Sequence, residues 1–208
     1  MQYKANEQQF KFGEVSCKIY VPDYEQLKAQ YTAPATTKHK FPYWAKLWPS
    51  SLALCQYITD NTALFKNKTV VELAAGLGLP SMLAARFASH VTCSDYANEA
   101  LPWILASAKL NNLSNIEARL IDWNHFPQDV SADIILLSDI NYDPADFEEL
   151  YKVIAQLLRQ KCIIVLTTPQ RLMAKPFIEQ LLPFCTHNQT IPVTLMQEQT
   201  DIFLLRLS

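Results

Sequence analysis

The stretch Val70-Val71-Glu72-Leu73-Ala74-Ala75-Gly76-Leu77-Gly78 decides the fold. A short apolar strand runs into a turn with two glycines two positions apart, and a helix follows in which Pro80 sits early enough to be tolerated. The chain of 208 residues has only three glycines, Gly13, Gly76 and Gly78, while twelve prolines do most of the punctuation. Glycine makes up about 7% of an average protein, so two of so few in one turn ask for an explanation. Glycine takes positive φ and lets the backbone approach a ligand closely, and the helix that follows presents free N–H groups. A dinucleotide fingerprint would need Gly-x-Gly-x-x-Gly, and Ser81 stands at the third position. Glu72, just upstream of the turn, is poorly matched to a pyrophosphate and well matched to a ligand with an ammonium group.

Working outward, strands and helices alternate. Strands are expected at 69–73, 90–94, 116–121, 133–138 and 162–167, with helices at 79–88, 98–112, from Asp143-Pro144 onward, and near 170–182. Leu101, Ile104, Leu105 and Ala108 form the apolar face of the second helix, and Phe147, Leu150, Tyr151, Ile154 and Leu158 that of the third. The unbroken run Ile134-Ile135-Leu136-Leu137 suits a strand covered on both faces. Two closing strands near 186–195 and 201–207 lack a helical connection and form an antiparallel edge. Upstream, residues 10–22 alternate as one half-buried strand, 30–42 read as a linker, and Pro49 opens a helix to about residue 60. The expected architecture is a Rossmann-like, doubly wound α/β fold. Its seven-stranded, mostly parallel sheet ends in an antiparallel C-terminal hairpin, with the main domain over 43–208 and an extension over 1–42.

Composition excludes several function classes. Half the residues are hydrophobic and the net charge is −2, with 18 Lys and Arg against 20 Asp and Glu. That argues against a nucleic-acid binder that works by neutralising many phosphates. No apolar run is long enough to span a membrane and the N-terminus lacks an apolar signal core, so a cytoplasmic protein is expected. Five scattered cysteines read as buried free thiols, and four scattered histidines suggest no metal site.

In an open α/β sheet, ligands bind outside the carboxyl ends of the strands. Acids cluster there: Glu72, Asp95, Asp122 and Asp139 follow four successive strands. Asp95 lies near the roughly 20-residue spacing after the glycine turn at which a carboxylate meets ribose hydroxyls. Asp122 can accept from an adenine amino group, and Trp123 offers a flat apolar wall. The sum of these features is a bound adenosyl compound with a cationic end.

This constellation resembles the class I S-adenosylmethionine-dependent methyltransferases. More narrowly, it is similar to the seven-strand protein-lysine methyltransferases called methyltransferase family 16. The resemblance covers roughly residues 41–160 and rests on residues 44–51, Glu72 to Gly78, Asp95, Asp122-Trp123 and Asp139-Ile140-Asn141-Tyr142. Pro42-Tyr43-Trp44-Ala45-Lys46-Leu47-Trp48-Pro49 is particularly similar to the branch that methylates the electron-transfer flavoprotein β subunit. The resemblance implies S-adenosyl-L-methionine as cofactor and a protein lysine as acceptor. It also implies that Trp48 lines the cofactor site and that Ala74, Ala75, Gly76 and Gly78 form the loop on the methionine part, with Glu72 supporting it. Asp95 would hold the ribose, Asp122 and Trp123 the adenine, and Ser138 would end the fourth strand as the family's small residue. Asp139 and Tyr142 would face the acceptor amine as the catalytic pair. The family usually has Gly-Ala-Gly-Thr-Gly where this chain has Ala74-Ala75-Gly76-Leu77-Gly78, and Ala74 fits there if its φ is negative. A small-molecule N-methyltransferase and a non-catalytic adenosyl-binding module remain alternatives. Nucleic-acid and glutamine methyltransferases commonly carry Asn/Asp-Pro-Pro-Tyr where this chain has Asp-Ile-Asn-Tyr, so no nucleic-acid partner is expected.

Overall fold

The computed structural model describes residues 3–32 and 42–208, and most of the linker expected at 30–42 lies outside them. The alternation at 10–22 resolves into two strands rather than one: β1 (Ala5–Phe12) and β2 (Val15–Pro22) pair antiparallel, with Phe12 opposite Val15. Gly13, at φ 56°, makes the turn between them. The signal was present, because the apolar positions switch from even (Phe10, Phe12) to odd (Val15, Cys17, Ile19) across Gly13-Glu14. Asp23 then accepts from the Gln26 amide at 3.1 Å and starts α1 (Tyr24–Thr32), a helix the sequence reading lacked.

The remaining elements follow the expected order, with one short helix, α3, that the sequence reading lacked. They are α2 (Pro49–Asp60), α3 (Thr62–Phe65), β3 (Thr69–Leu73), α4 (Leu79–Ala84), β4 (His90–Asp95), α5 (Leu101–Leu110) and β5 (Ile116–Leu120). Then come β6 (Ile134–Ser138), α6 (Phe147–Arg159), β7 (Ile163–Pro169), α7 (Lys175–Leu181), β8 (Cys185–Leu195) and β9 (Glu198–Leu207). The main sheet has seven strands in the order β5-β4-β3-β6-β7-β9-β8. The first five are parallel, and β9 and β8 close the edge antiparallel. The chain winds outward from β3 to β5 and then returns to lay β6 on the other side of β3. That reversal opens a crevice at the carboxyl ends of β3 and β6, the place where doubly wound sheets bind ligands.

Helices cover both faces, and β6 shows why its sequence is apolar throughout. Ile134 and Leu136 join the core under α2, α4 and α5, whereas Ile135 and Leu137 join the core under α6 and α7. Cys17 and Ile19 of β2 and Leu27 of α1 are buried in the first of these cores. The hairpin is also tied to α5 by the Tyr20 amide on Ser107 Oγ and the Lys18 amide on Asn111 Oδ1, each at 3.0 Å.

Three helix details differ from expectation. On α5, Trp103 is buried and Leu105 is 52% exposed, because β2 docks on the side carrying Trp103, Ser107 and Asn111. On α6 the fully buried positions are Leu150, Val153, Ile154 and Leu157, with Phe147, Tyr151 and Leu158 at the margins of the same core. The single helix expected near 170–182 is short, running only from Lys175 to Leu181 between two 3-10 turns. Pro183, which has no N–H to donate, interrupts any continuation.

Candidate functional site

The loop after β3 turns through three left-handed residues: Ala74 (φ 51°), Gly76 (φ 56°) and Gly78 (φ 71°). Ala74 therefore does not meet the condition of negative φ under which an alanine fits freely, and an L-residue held there costs roughly 1–2 kcal/mol. The loop is held by hydrogen bonds from the Ala75 amide to Ser94 O and from the Gly78 amide to Ala75 O, each at 2.8 Å. A Cβ on Gly76 would lie 2.9 Å from Trp44 O, and one on Gly78 would lie 2.7 Å from Cys93 Sγ. Both glycines thus admit protein neighbours as well as the turn, rather than only a ligand.

The four acids separate once their surroundings are known. Glu72 is fully buried; its Oε2 accepts from the Ser81 amide at 2.9 Å and from the Ser81 hydroxyl, while Oε1 has no partner. Burial pushes its carboxyl up to about 8, against the opposing pull of the Ser81 hydrogen bonds. It braces the loop against α4 and does not face the crevice. Asp95 does face it. Its Oδ2 accepts from the Gly76 amide at 2.8 Å and its Oδ1 from the Ala97 amide at 2.9 Å. Burial raises this carboxyl despite those amides. A carboxylate offers about four acceptor sites, so capacity remains for ribose hydroxyls.

Asp122 caps the 3-10 turn Trp123–His125, accepting from the Asn124 amide at 2.9 Å and from its side chain at 3.1 Å. Slight burial raises its carboxyl, but the Asn124 and His125 hydrogen bonds outweigh that and hold it below the usual range. The side chain is committed to its own turn and does not line the crevice, whereas the neighbouring Trp123 ring does. Asp139 follows β6 at φ 57°, with its amide on Thr167 O at 2.8 Å. Its side chain is buried; Oδ1 pairs with Arg171 Nη1 at 2.5 Å, and Oδ2 has no partner. Among the described residues this is the shortest ion pair.

An aromatic row forms one wall. Tyr142 lies 5.4 Å from Tyr43 between ring centroids, and Tyr43 lies 6.1 Å from Trp48. Trp48 Nε1 donates to Tyr43 O at 3.1 Å, and Lys46 Nζ stands 4.5 Å over the Trp48 ring. Burial first, and nearby Tyr96, Asp146, Asp95 and Tyr43 next, push the Tyr142 phenol well above its ordinary value.

These groups enclose a cavity of about 220 Å³, lined by every sequence-predicted site residue except Glu72 and Asp122. Arg171, Lys46, Tyr43 and Tyr96 also line it and were missed. Arg171 could have been found, because it comes just after the carboxyl end of β7, the same rim that holds the acids. The donor set suits S-adenosylmethionine: a flat indole for a base, a carboxylate with spare acceptor sites for a ribose, and a buried unpartnered carboxylate oxygen opposite.

Comparison with known proteins adds to this geometry. A family model described as "Lysine methyltransferase" matches residues 40–183. The rat protein named "Histone-arginine methyltransferase METTL23" is 32% identical over 126 residues, which is 57% of this chain and 55% of that protein. The Xenopus tropicalis "Protein N-lysine methyltransferase METTL21A" is 28% identical over 169 residues, 78% of this chain and 76% of that one. The chain thus spans little more than half the length of the METTL23 relative. Among solved structures, PH1948 of Pyrococcus horikoshii, described as a candidate RNA methyltransferase, aligns with a TM-score of 0.63 at 17% identity, over 89% of this chain and 98% of that one. SMU.776, a candidate methyltransferase solved with SAH, aligns with a TM-score of 0.60 at 15% identity, over 99% and 57%. At such identities these structures share the fold alone.

Proposed function

The chain belongs to the lysine methyltransferase family whose model spans residues 40–183, and on that footing we propose that it is an S-adenosylmethionine-dependent N-methyltransferase acting on a lysine side chain of a protein. The observation that carries this reading is Asp139: a buried carboxylate at the sheet's reversal point, with one oxygen bare, beside the loop and indole suited to an adenosyl donor. Tyr43 and Tyr96 of the cavity wall are 43% and 45% exposed, which supports an acceptor presented from outside the chain. Five free cysteines, four of them buried, support a reducing compartment such as the cytoplasm.

When bound, the donor supplies a sulfonium-activated methyl group, taken in line by an uncharged nitrogen as the N–C bond forms and the C–S electron pair returns to sulfur. The chain's own part is placement. Asp95, which fixes the Gly76 amide, would hold the ribose, and Trp123 would cover the base. Asp139 Oδ2 accepts an N–H of the acceptor, and the Tyr142 ring limits its approach from the side of Tyr43. Alignment of this kind lowers the barrier by holding the reacting atoms in a near-attack geometry.

A second reading has its own observation. Asp139 already holds a guanidinium, that of Arg171, and the METTL23 relative is named an arginine methyltransferase. The deciding experiment is incubation with labelled S-adenosylmethionine and a lysate of the source cell, with mass spectrometry of the labelled residue. Label on protein lysine is expected, label on arginine selects the second reading, and label only in the low-mass fraction refutes both. Asp139→Ala is expected to abolish turnover while SAH binding survives calorimetrically.

A further inference from the structure

The Asp139–Arg171 pair has more to say than that a carboxylate sits at the rim. Resting on the methyltransferase reading above, we propose that Arg171 is a positioning residue that stays on Asp139 Oδ1 and makes the seat at Oδ2 select the uncharged form of the acceptor amine.

The geometry divides the two carboxylate oxygens cleanly. Arg171 Nη1 takes Oδ1, while Oδ2 is buried without a partner. A buried acceptor left bare is unfavourable, and an amine N–H that reaches it satisfies it. Both ends of the pair are anchored by backbone. The Asp139 amide is on Thr167 O at 2.8 Å, and the Arg171 amide is on Pro169 O at 2.9 Å. The Arg171 side chain is 27% exposed and the Asp139 side chain 6%.

The charges around this seat can be counted. Asp139 and Tyr142 face it from the segment after β6, Arg171 from that after β7, Tyr43 and Lys46 from that before α2, and Asp95 and Tyr96 from the end of β4. Asp146 lies near enough to act on Tyr142. The carboxylates Asp95 and Asp139 are matched by the cations Lys46 and Arg171, and Asp95 is already occupied by loop amides. An ammonium entering here would meet a carboxylate whose charge is spent on Arg171, with the guanidinium as a like charge close by. A like charge within about 4–6 Å disfavours the charged form. A neutral amine needs only the free acceptor at Oδ2, and its lone pair remains available. The mechanism requires that protonation state, because an ammonium has no lone pair to form the N–C bond.

The test uses n-butylamine as a stand-in for the lysine side chain, titrated into the full chain saturated with SAH, which lacks the sulfonium charge and so isolates the effect of Arg171. For wild type, the apparent Kd is expected to fall about tenfold per pH unit from 7 to 9, following the free-base fraction of an amine titrating near 10.4. Arg171→Gln is expected to bind the ammonium on its unpaired Asp139, with a Kd nearly flat over that range. Arg171→Lys, which keeps the charge, is expected to restore the slope. Far-UV circular dichroism and SAH affinity check that each variant is folded. A flat wild-type profile, no binding of the amine to the SAH complex, or the same slope in wild type and Arg171→Gln overturns the inference while leaving the methyltransferase reading intact. Failure of wild type to bind SAH overturns both.

Discussion

The substitution Glu72→Gln should stabilise the protein, and by an amount that grows with pH. Glu72 is fully buried, its Oε1 has no partner, and burial lifts its carboxyl from an ordinary 4.5 to about 8. Below the ordinary value, native and unfolded states both hold the proton and the group has no effect on stability. Between the two values the unfolded chain releases the proton that the native state keeps, so the unfolded state binds fewer protons and stability falls as pH rises. Above about 8 the loss is complete. At about 1.4 kcal/mol per pH unit, the whole interval amounts to about 5 kcal/mol, and about 3 kcal/mol is lost by pH 7. The amide introduced by Glu72→Gln would mimic the protonated acid: its carbonyl takes the Ser81 amide and hydroxyl, and its –NH₂ stands where the acid's O–H would. Urea unfolding of both proteins without cofactor at pH 5, 7 and 9 measures the difference. The variant should gain about 3–5 kcal/mol over wild type between pH 5 and pH 9. A difference that stays constant within about 0.5 kcal/mol would show that Glu72 is not held protonated, and the account of the loop's support would fail.

Other perturbations test other parts of the structure. Ala74→Gly removes a side chain from a left-handed position at φ 51° and should raise unfolding stability by about 1 kcal/mol; a loss of stability would mean the Ala74 methyl packs usefully. Gly78→Ala should cost about 1–3 kcal/mol, and Cys93→Ala in the same chain should recover part of that, since the added Cβ would lie 2.7 Å from Cys93 Sγ. Additive single effects in that cycle would rule the clash out. Trp123→Ala should weaken SAH binding about tenfold by calorimetry and, because the ring also belongs to the core under α6, cost about 3–5 kcal/mol in urea unfolding; unchanged affinity would remove the indole from the site. Leu136→Ala, at a fully buried position of the central strand, should cost about 2–5 kcal/mol in urea unfolding.

Much of the fold was legible because its signals are local. Apolar runs of strand length mark β3, β6 and β7, Pro49 marks the start of α2, and Asp143-Pro144 opens a 3-10 turn that runs into α6. The N-terminal hairpin was misread as one strand because a two-residue turn disturbs an alternating pattern only by a shift of phase, easily passed over beside one glycine. Ile104 and Ala108 of α5 are buried as expected, but Leu105 was placed inward and Trp103 was not, because α5 is apolar almost all round and periodicity cannot fix the edge of a face when another element, here β2, supplies the cover.

Within the site, the position of the acids was readable and their direction was not. Each of Glu72, Asp95, Asp122 and Asp139 is at or near a strand's carboxyl end, as the order of residues requires. Whether each carboxylate turns toward the cavity depends on which backbone amides and hydroxyls compete for it. Ser81 draws Glu72 under the loop, Asn124 keeps Asp122 on its own turn, and Asp95 and Asp139 are left facing inward. Arg171 reaches Asp139 across a separation of 32 residues. A strand pattern determines where a chain emerges from the sheet, since that follows from hydrophobicity and local turn chemistry. Only the assembled sheet decides which side chains meet there, because contacts between distant segments depend on strand order and register.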